Sequence, residues 1–540
     1  MTKRLKKKVS VVLMIVMALM LFEGCGNKKA EESAQTTEMS EEDKYGGEIT
    51  VAFATAPANL DSDQGTSWET TAVTNHVYEG LFESNAEGGE AVPYLAEDYS
   101  ISEDGKVYTI NLRKGVLFSD GSEMTAEDVK ASLERWLNVN AAGISVRDKI
   151  TSVEITGDYQ IQIKLNEVYA PLVNTMASPV SSQKMVVRKK SIIDKFEADI
   201  ITEHIGTGPY MFEEISLNQK VVLVRNEYYT PAEGELSGLA GKRTPYLDKI
   251  TIEFVPEESV RIAGLESGLY NFADEISTDR YKEIEEYSGI SPVICKNGTI
   301  SVIAFNCGSD PFDKKELRQA VAYAVDNEAL AKAQVGDQEF WSVEDGSWFK
   351  NGSIWYDESA GDGIYNAKDT EKAKELVAES GYDGEKITIM ADKSDLYTSN
   401  GALVLQDQLK KIGINAEVEV YDTATYDDYR AAGKWNIVFS RWSDMNPDPQ
   451  VFEPWTGTNG WITGWNDEDS AEMDQIFENM SVEMDQNKRY EIVKQFYSKF
   501  WESVPYLKSF NDVRIHAISD KVQGFQAYGQ SYFWSVWTTK

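Results

Sequence analysis

Histidine and cysteine are nearly absent from this chain. Its 540 residues include three of each: His76, His204 and His516, and Cys25, Cys295 and Cys307. Three scattered histidines leave little room for a His-rich metal site, nickel included, or for His-dependent catalysis. Basic side chains are also in deficit, with 53 Lys and Arg against 89 Asp and Glu and a formal charge of −36. Phosphate backbones are bound by concentrated Lys and Arg, so nucleic acid is excluded as a partner. Core material, by contrast, is plentiful. Hydrophobic residues make up 42% and aromatic residues 11%, enough to exclude wholesale disorder. The composition is that of a large, acidic, soluble globular protein, and at about 150 residues per domain the length allows two to four units.

Catalytic and cofactor signatures are missing too. There is no His-Glu-x-x-His, no Cys-x-x-Cys and no Gly-x-Ser-x-Gly. Gly241-Lys242 lacks the upstream Gly of a phosphate loop and is followed by Arg243 instead of Ser or Thr. Gly206-Thr207-Gly208 runs into Pro209, which offers no backbone donor to a pyrophosphate. Carboxylate pairs are abundant, but in so acidic a chain they arise by chance, and none marks a glycosidase. No cofactor is implied.

The N-terminus carries a targeting pattern. Lys3, Arg4, Lys6, Lys7 and Lys8 precede fourteen uncharged residues, Val9 to Phe22. A basic start before an apolar stretch too short for a membrane span reads as an export signal. Gly24-Cys25 resembles the end of a bacterial lipoprotein box, with Cys25 as the lipidated residue, although Phe22 and Glu23 depart from the usual pattern. The expected signal is residues 1–24, followed at 25–46 by a flexible tether rich in Glu, Ser, Thr, Gln and Lys. Removing 1–24 takes five basic residues and one acidic one, leaving 48 against 88 and a net charge of −40. If Cys25 carries lipid, Cys295 and Cys307 remain. Asn297-Gly298 predicts a two-residue hairpin within Ile294–Ile300, a register that keeps the two cysteines apart as buried thiols.

Further along, helices and strands alternate. Gly47–Phe53 reads as a first strand, and Leu95 to Leu112 as short strands about the turn Glu103-Asp104-Gly105-Lys106. Thr125 with Asp128 forms a capping box for a helix carrying Val129, Leu133, Trp136 and Leu137. Another helix is expected over 314–325 with Asp313 as its cap. Leu403, Leu405, Leu409 and Ile412 mark a helix that Gly413 ends before a strand to Val420. A last helix is expected over 488–504, stopped by Pro505. This is the pattern of an α/β protein.

Several blocks then carry a family resemblance. They are Pro93–Ser100, Asp104–Gly121, Met124–Arg135, Ile205–Tyr210 with Arg225–Tyr229, Asp313–Asp326, Leu405–Tyr421 and Val504–Phe525. In this order they resemble extracellular solute-binding proteins of family 5, the oligopeptide and dipeptide receptors of ABC importers, over residues 47–540. The resemblance implies a two-lobed, periplasmic-binding-protein-like α/β fold of type II, in the large cluster with an extra subdomain. Lobe 1 would take 47–302 plus 506–540, with the subdomain inserted at about 83–204, and lobe 2 would take 303–505. It implies a monomer that captures a peptide between the lobes by hinge closure and passes it to permease subunits, lipid-anchored through Cys25 outside the cytoplasm. An oligosaccharide or other small solute on the same fold, and a tethered hydrolase, remain the competing readings.

The resemblance also nominates ligand contacts. Gly65-Thr66-Ser67-Trp68-Glu69 corresponds to a family loop on lobe 1, with an ordinary polar loop as the competing reading. On lobe 2, Phe439-Ser440-Arg441-Trp442-Ser443-Asp444-Met445-Asn446-Pro447-Asp448-Pro449 corresponds to a segment in which relatives place a Trp, then an Asp that pairs with the peptide ammonium, then an acid-Pro pair. Counted from Asp448-Pro449, Met445 falls where that Asp belongs; counted from Trp442, Asp444 comes one position early. Either Asp444 takes the role or the amine anchor is missing. Trp442, beside Asp444, is expected to report binding by fluorescence. Lys393 lies near the place where some relatives present a base to the ligand carboxylate, with a solvated surface lysine as the alternative. Trp461 and Trp465 are candidates for stacking on the ligand, or for lobe packing.

Overall fold

The strand expected at the start is present, and it opens a sheet that runs through most of the chain. The computed structural model describes residues 40–539 apart from 66, 87, 88, 181, 182, 394, 446 and 461–463. The signal stretch and Cys25 therefore lie outside the described residues. Among those described, no helix is long and apolar enough to cross a membrane. Residues 40–43 form a turn of their own, with Ser40 Oγ donating to the Asp43 carboxylate at 2.6 Å. The remainder, Lys44–Lys540, is one unit.

Its main sheet contains β1 (Glu48–Phe53), β2 (Tyr210–Ser216), β3 (Lys220–Arg225), β4 (Lys249–Phe254), β5 (Phe272–Ala273), β6 (Ile290–Phe305), β7 (Ile387–Asp392), β8 (Ala416–Tyr421), β9 (Ile437–Ser443) and β10 (Tyr506–Ser519). Their order across the sheet is β8-β7-β9-β6-β10-β5-β1-β4-β3-β2. β1 pairs in parallel with β4 and β5, as β7 does with β8 and β9, while the β6, β10 and β3 pairings are antiparallel. Parallel neighbours need crossover helices, which is why helical patterns separate these strands in sequence.

Two long strands join the two ends of this sheet. Ile290–Cys295 of β6 pair with Arg514–Ser519 of β10, next to β5 and β1. Thr299–Ala304 pair with Tyr506–Asp512, and the β9 ladder lies on the other edge. The expected hairpin at Asn297-Gly298 is therefore not formed. Asn-Gly falls instead at a break in register between Cys295 and Thr299, where sixteen residues run on as one strand. Gly298 is needed there for close approach, because a Cβ would collide with the Asp512 carbonyl oxygen of the neighbouring strand. Gly298→Ala is expected to cost about 1–3 kcal/mol, the usual penalty of overpacking, read as a lower urea midpoint at unchanged slope. Cys295 and Cys307 are buried thiols, with no disulfide between them, as the sequence predicts.

Helices cover the sheet: α1 (Trp68–Thr74), α2 (Ala126–Val139), α3 (Lys315–Ala324), α4 (Leu396–Lys411) and α5 (Gln486–Ser503). The Thr125/Asp128 capping box closes the start of α2. Behind α2 a separate four-stranded antiparallel sheet (96–101, 107–112, 160–165 and 150–157) packs around Trp136, Leu133, Tyr108 and Ile163. Asp313 does not cap α3; the N-cap is Lys314, whose ammonium Asp313 holds at 2.7 Å. On α4 the buried stripe is Ala402, Leu405, Leu409 and Ile412, and Leu403 is 56% exposed. Gly413 (φ +90°) makes the left-handed exit that leads to β8. In α5 Asp485 caps the start, and Val504 turns left-handed before Pro505.

Candidate functional site

A cavity of about 450 Å³ lies where β6 and β10 change partners. Asp444, just beyond β9, contributes a carboxylate that is 1% exposed and accepts from Lys350 Nζ at 2.5 Å and from the Gly298 N–H at 3.2 Å. Its Oδ1 is buried and has no hydrogen-bond partner among the described residues. Burial pushes the Asp444 carboxyl above its ordinary range, against the pull of Lys350. Lys508 of β10 is also buried; its ammonium donates to the Ser347 carbonyl at 2.6 Å and stands 4.0 Å from Asp345. Burial lowers its pKa to about 8, so near neutrality a proton on this group is loosely held. Asp512 completes the floor: it accepts the N–H and hydroxyl of Thr299 and pairs with Arg441 Nη2 at 2.6 Å.

Next to this polar floor is a strand edge. β9 pairs with β6 along its whole length, but with β7 only at Ile437 and Val438. From Phe439 to Ser443 its second edge carries no strand among the described residues. A strand edge without a partner strand is where an extended chain can add by main-chain bonds. Arg441 stands on this stretch, half-exposed, its guanidinium 4.4 Å above the Tyr397 ring.

On the β1 side, Ser67 caps α1, its Oγ accepting the Thr70 N–H at 3.2 Å. Within the segment read from sequence as a loop, Ser67 is thus a helix cap, and Trp68 and Glu69 are the helix's first residues. Trp68 lies under the Arg514 guanidinium at 4.2 Å. The approach to α1 is held by a buried charge cluster. Arg135 and Arg188 grip Asp61 (2.6 and 3.1 Å) and Asp63 (3.2 and 2.7 Å), with all four side chains at most 2% exposed. The Gly65 N–H then returns to the Asp61 carbonyl at 2.6 Å.

A model of the bacterial extracellular solute-binding proteins, family 5, matches residues 90–463. The chain belongs to this family. Its members are solute-binding proteins rather than enzymes, which accords with the missing catalytic signatures. Oligopeptide-binding protein AppA of Bacillus subtilis is 25% identical over 557 residues, covering 98% of each chain. Heme-binding protein A of Haemophilus influenzae is 27% identical over 579 residues, covering 98% of this chain and 99% of that one. Among solved structures, DppA of Helicobacter pylori in complex with the peptide STSA has a TM-score of 0.75 at 24% identity, covering 93% of this chain and 99% of that one. The fold is accordingly the mixed α/β, two-lobed one of periplasmic binding proteins.

The solute-binding protein brings together some of the residues nominated from sequence and separates others. Arg441, Ser443 and Asp444 gather at the crossover. Trp442 does not line the 450 Å³ cavity: at 7% exposure it packs between Trp348 and Trp455, with ring centroids 5.7 and 4.4 Å away. Met445 is buried away from Asp444 among residues of the β1 side. Lys393 is exposed beyond β7, its N–H bonded to the Tyr421 carbonyl at 2.7 Å. Trp465 is fully buried and serves packing. Thr66, Asn446 and Trp461 lie outside the described residues. Lys350, Lys508, Thr299 and Asp512 were not nominated; they come from distant parts of the chain, and no local pattern marks them. A second cavity of about 690 Å³ separates 141–183 from 447–455. At its edge Asp448 takes a two-pronged bond from Arg489 (2.6 Å each) and a third from Asn174 Nδ2 at 3.0 Å.

Proposed function

We propose that this solute-binding protein captures peptides between its two lobes and delivers them, unconverted, to the permease of an ABC importer. Lobe 1 takes 47–302 with 506–540 and the subdomain inserted at about 83–204, and lobe 2 takes 303–505. The exchange of sheet partners near 295–299 and 512–514 supports that division. Residues 1–24 act as a lipoprotein signal, Cys25 bears the lipid, and 25–46 tether a monomer outside the cell membrane. The basic and apolar run at 3–22 supports this part of the reading.

One observation carries the peptide assignment: the β9 edge from Phe439 to Ser443, which joins no second strand among the described residues, ends at a buried carboxylate whose Oδ1 has no hydrogen-bond partner among them. An extended peptide adds to that edge through main-chain bonds, which are blind to its side chains. Its α-ammonium reaches Asp444 and takes the place of Lys350, whose own side chain is 40% exposed and can swing into water. The carboxylate then trades one ammonium for another and stays neutralised.

Melting curves test this. Free-amine tri- to pentapeptides should raise the melting temperature, while their N-acetylated forms, an oligosaccharide pool and buffer should not. Asp444→Asn should weaken free-amine peptides about tenfold or more, the value of one charged hydrogen bond. Equal shifts from acetylated peptides would remove Asp444 from the role. A shift with oligosaccharide alone would overturn the peptide reading, and peptide fragments in the mixture would overturn delivery without conversion.

A further inference from the structure

Met445 occupies the position at which the family pattern places its amine-binding Asp, yet its side chain does not enter the cavity. It is 7% exposed and packs in the hydrophobic core of lobe 1, with Phe53, Ala72, Tyr528 and Tyr532. Of residues 303–505, Met445 alone belongs to that core among the described residues. Trp442, three positions earlier, packs instead in the other large hydrophobic core, against Trp348 and Trp455. The chain therefore passes from one hydrophobic core to another within four residues, and a bond from the Met445 N–H to Ser443 Oγ at 3.1 Å fixes the turn.

The receiving surface is shaped for this side chain. Gly529 (φ +64°) joins the short strands Gln526–Tyr528 and Gln530–Tyr532. A Cβ at Gly529 would collide with Met445 Cε and Sδ. Next to it, Tyr528 donates from its hydroxyl to the Asn85 carbonyl at 2.8 Å, tying this hairpin to lobe 1.

We infer that Met445 and Gly529 form a latch that holds the lobes together: the thioether seats in lobe 1 when they close and must leave its socket when they open. Burying an apolar side chain on closure favours the closed state with no ligand present. Met445 thereby acts as a positioning residue for Asp444, its neighbour in the chain. The inference rests on the two-lobed fold and not on the nature of the ligand.

Small-angle scattering of the ligand-stripped mature protein tests it. Wild type should scatter as the closed structure. Met445→Ala and Gly529→Ala should both give a larger radius of gyration, and Met445→Leu, which keeps the apolar volume, should stay near wild type. Unchanged radii in both latch variants would overturn the inference, as would a wild type already as extended as Met445→Ala. If Gly529→Ala fails to fold, the two Met445 variants decide alone. No ligand enters the measurement, so failure here is separate from failure of the peptide reading.

Discussion

Arg188→Ala should cost about 3–5 kcal/mol of stability, the penalty of leaving a buried charge without its partner. Arg188 bonds Asp63 Oδ2 at 2.7 Å, Asp61 Oδ1 at 3.1 Å and Ser62 Oγ at 2.8 Å, with its guanidinium 4.7 Å from the Tyr78 ring. Its removal leaves two carboxylates and only the Arg135 cation in a place closed to water. Burial already raises the Asp63 carboxyl against the pull of Arg188. At Asp61 burial works the same way, but Arg188, the Ile201 N–H and Arg135 overcome it and hold that carboxyl below its ordinary value. Without Arg188 both carboxylates are driven toward protonation. Arg188→Lys keeps the charge but not the two-pronged geometry, and should fall between wild type and Arg188→Ala. Urea unfolding measures the order of the three. A loss under about 1 kcal/mol for Arg188→Ala would mean that water or another cation reaches the cluster. Ligand affinity should fall as well, because the same cluster fixes the chain entering α1.

Much of the local structure was legible in the sequence because it is decided locally. The Thr125/Asp128 capping box, the Gly413 exit and the stop at Pro505 each need only neighbouring residues. The Asn297-Gly298 hairpin failed for the opposite reason. A turn there would break the β6 pairing with β10 and β9, and two ladders outweigh one local preference. Ser67 was hidden as a helix cap because Thr70, Thr71 and Val73 behind it are β-branched, poor helix formers stabilised here by burial. At the site, Asp444 and Arg441 were legible through the family pattern, whereas Lys350, Lys508 and Asp512 meet them only across the fold. The misfit of Met445 was visible in the sequence. Its destination was not, because Gly529 lies far along the chain.

Acid should destabilise the protein through His76 between pH 6.5 and 4. The imidazole is buried, with Nδ1 2.9 Å from the Ala72 carbonyl and Nε2 accepting the Phe533 N–H at 2.9 Å. That arrangement places the single proton on Nδ1, and a second one on Nε2 would face a donor. Burial lowers the pKa to about 4 from an ordinary 6.5. Between those values the unfolded chain takes up a proton that the folded one refuses, so this contribution is complete above pH 6.5 and is lost as pH falls toward 4. At 1.36 kcal/mol per unit, the loss approaches about 3 kcal/mol at pH 4. Burial lowers His204 and His516 similarly, to about 4 and about 3. The raised carboxyls of Asp63 and Asp444 act in the opposite sense. Comparing wild type with His76→Gln isolates the imidazole, since the other groups are common to both. Parallel stability curves from pH 7 to 4 would show that His76 is protonated in the native state.

The position of β10 bears on how the protein is made. This strand follows every other strand of the main sheet in sequence, yet it lies in the middle of the sheet, between β6 and β5. Until it emerges, β6 and β5 have no neighbour to join them, and the two halves of the sheet remain separate fragments with exposed edges. Joining the sheet therefore waits on residues 506–519 and depends on contacts made over hundreds of residues, the kind that form slowly. A chain cut before residue 506 loses the strand that joins the two halves of the sheet.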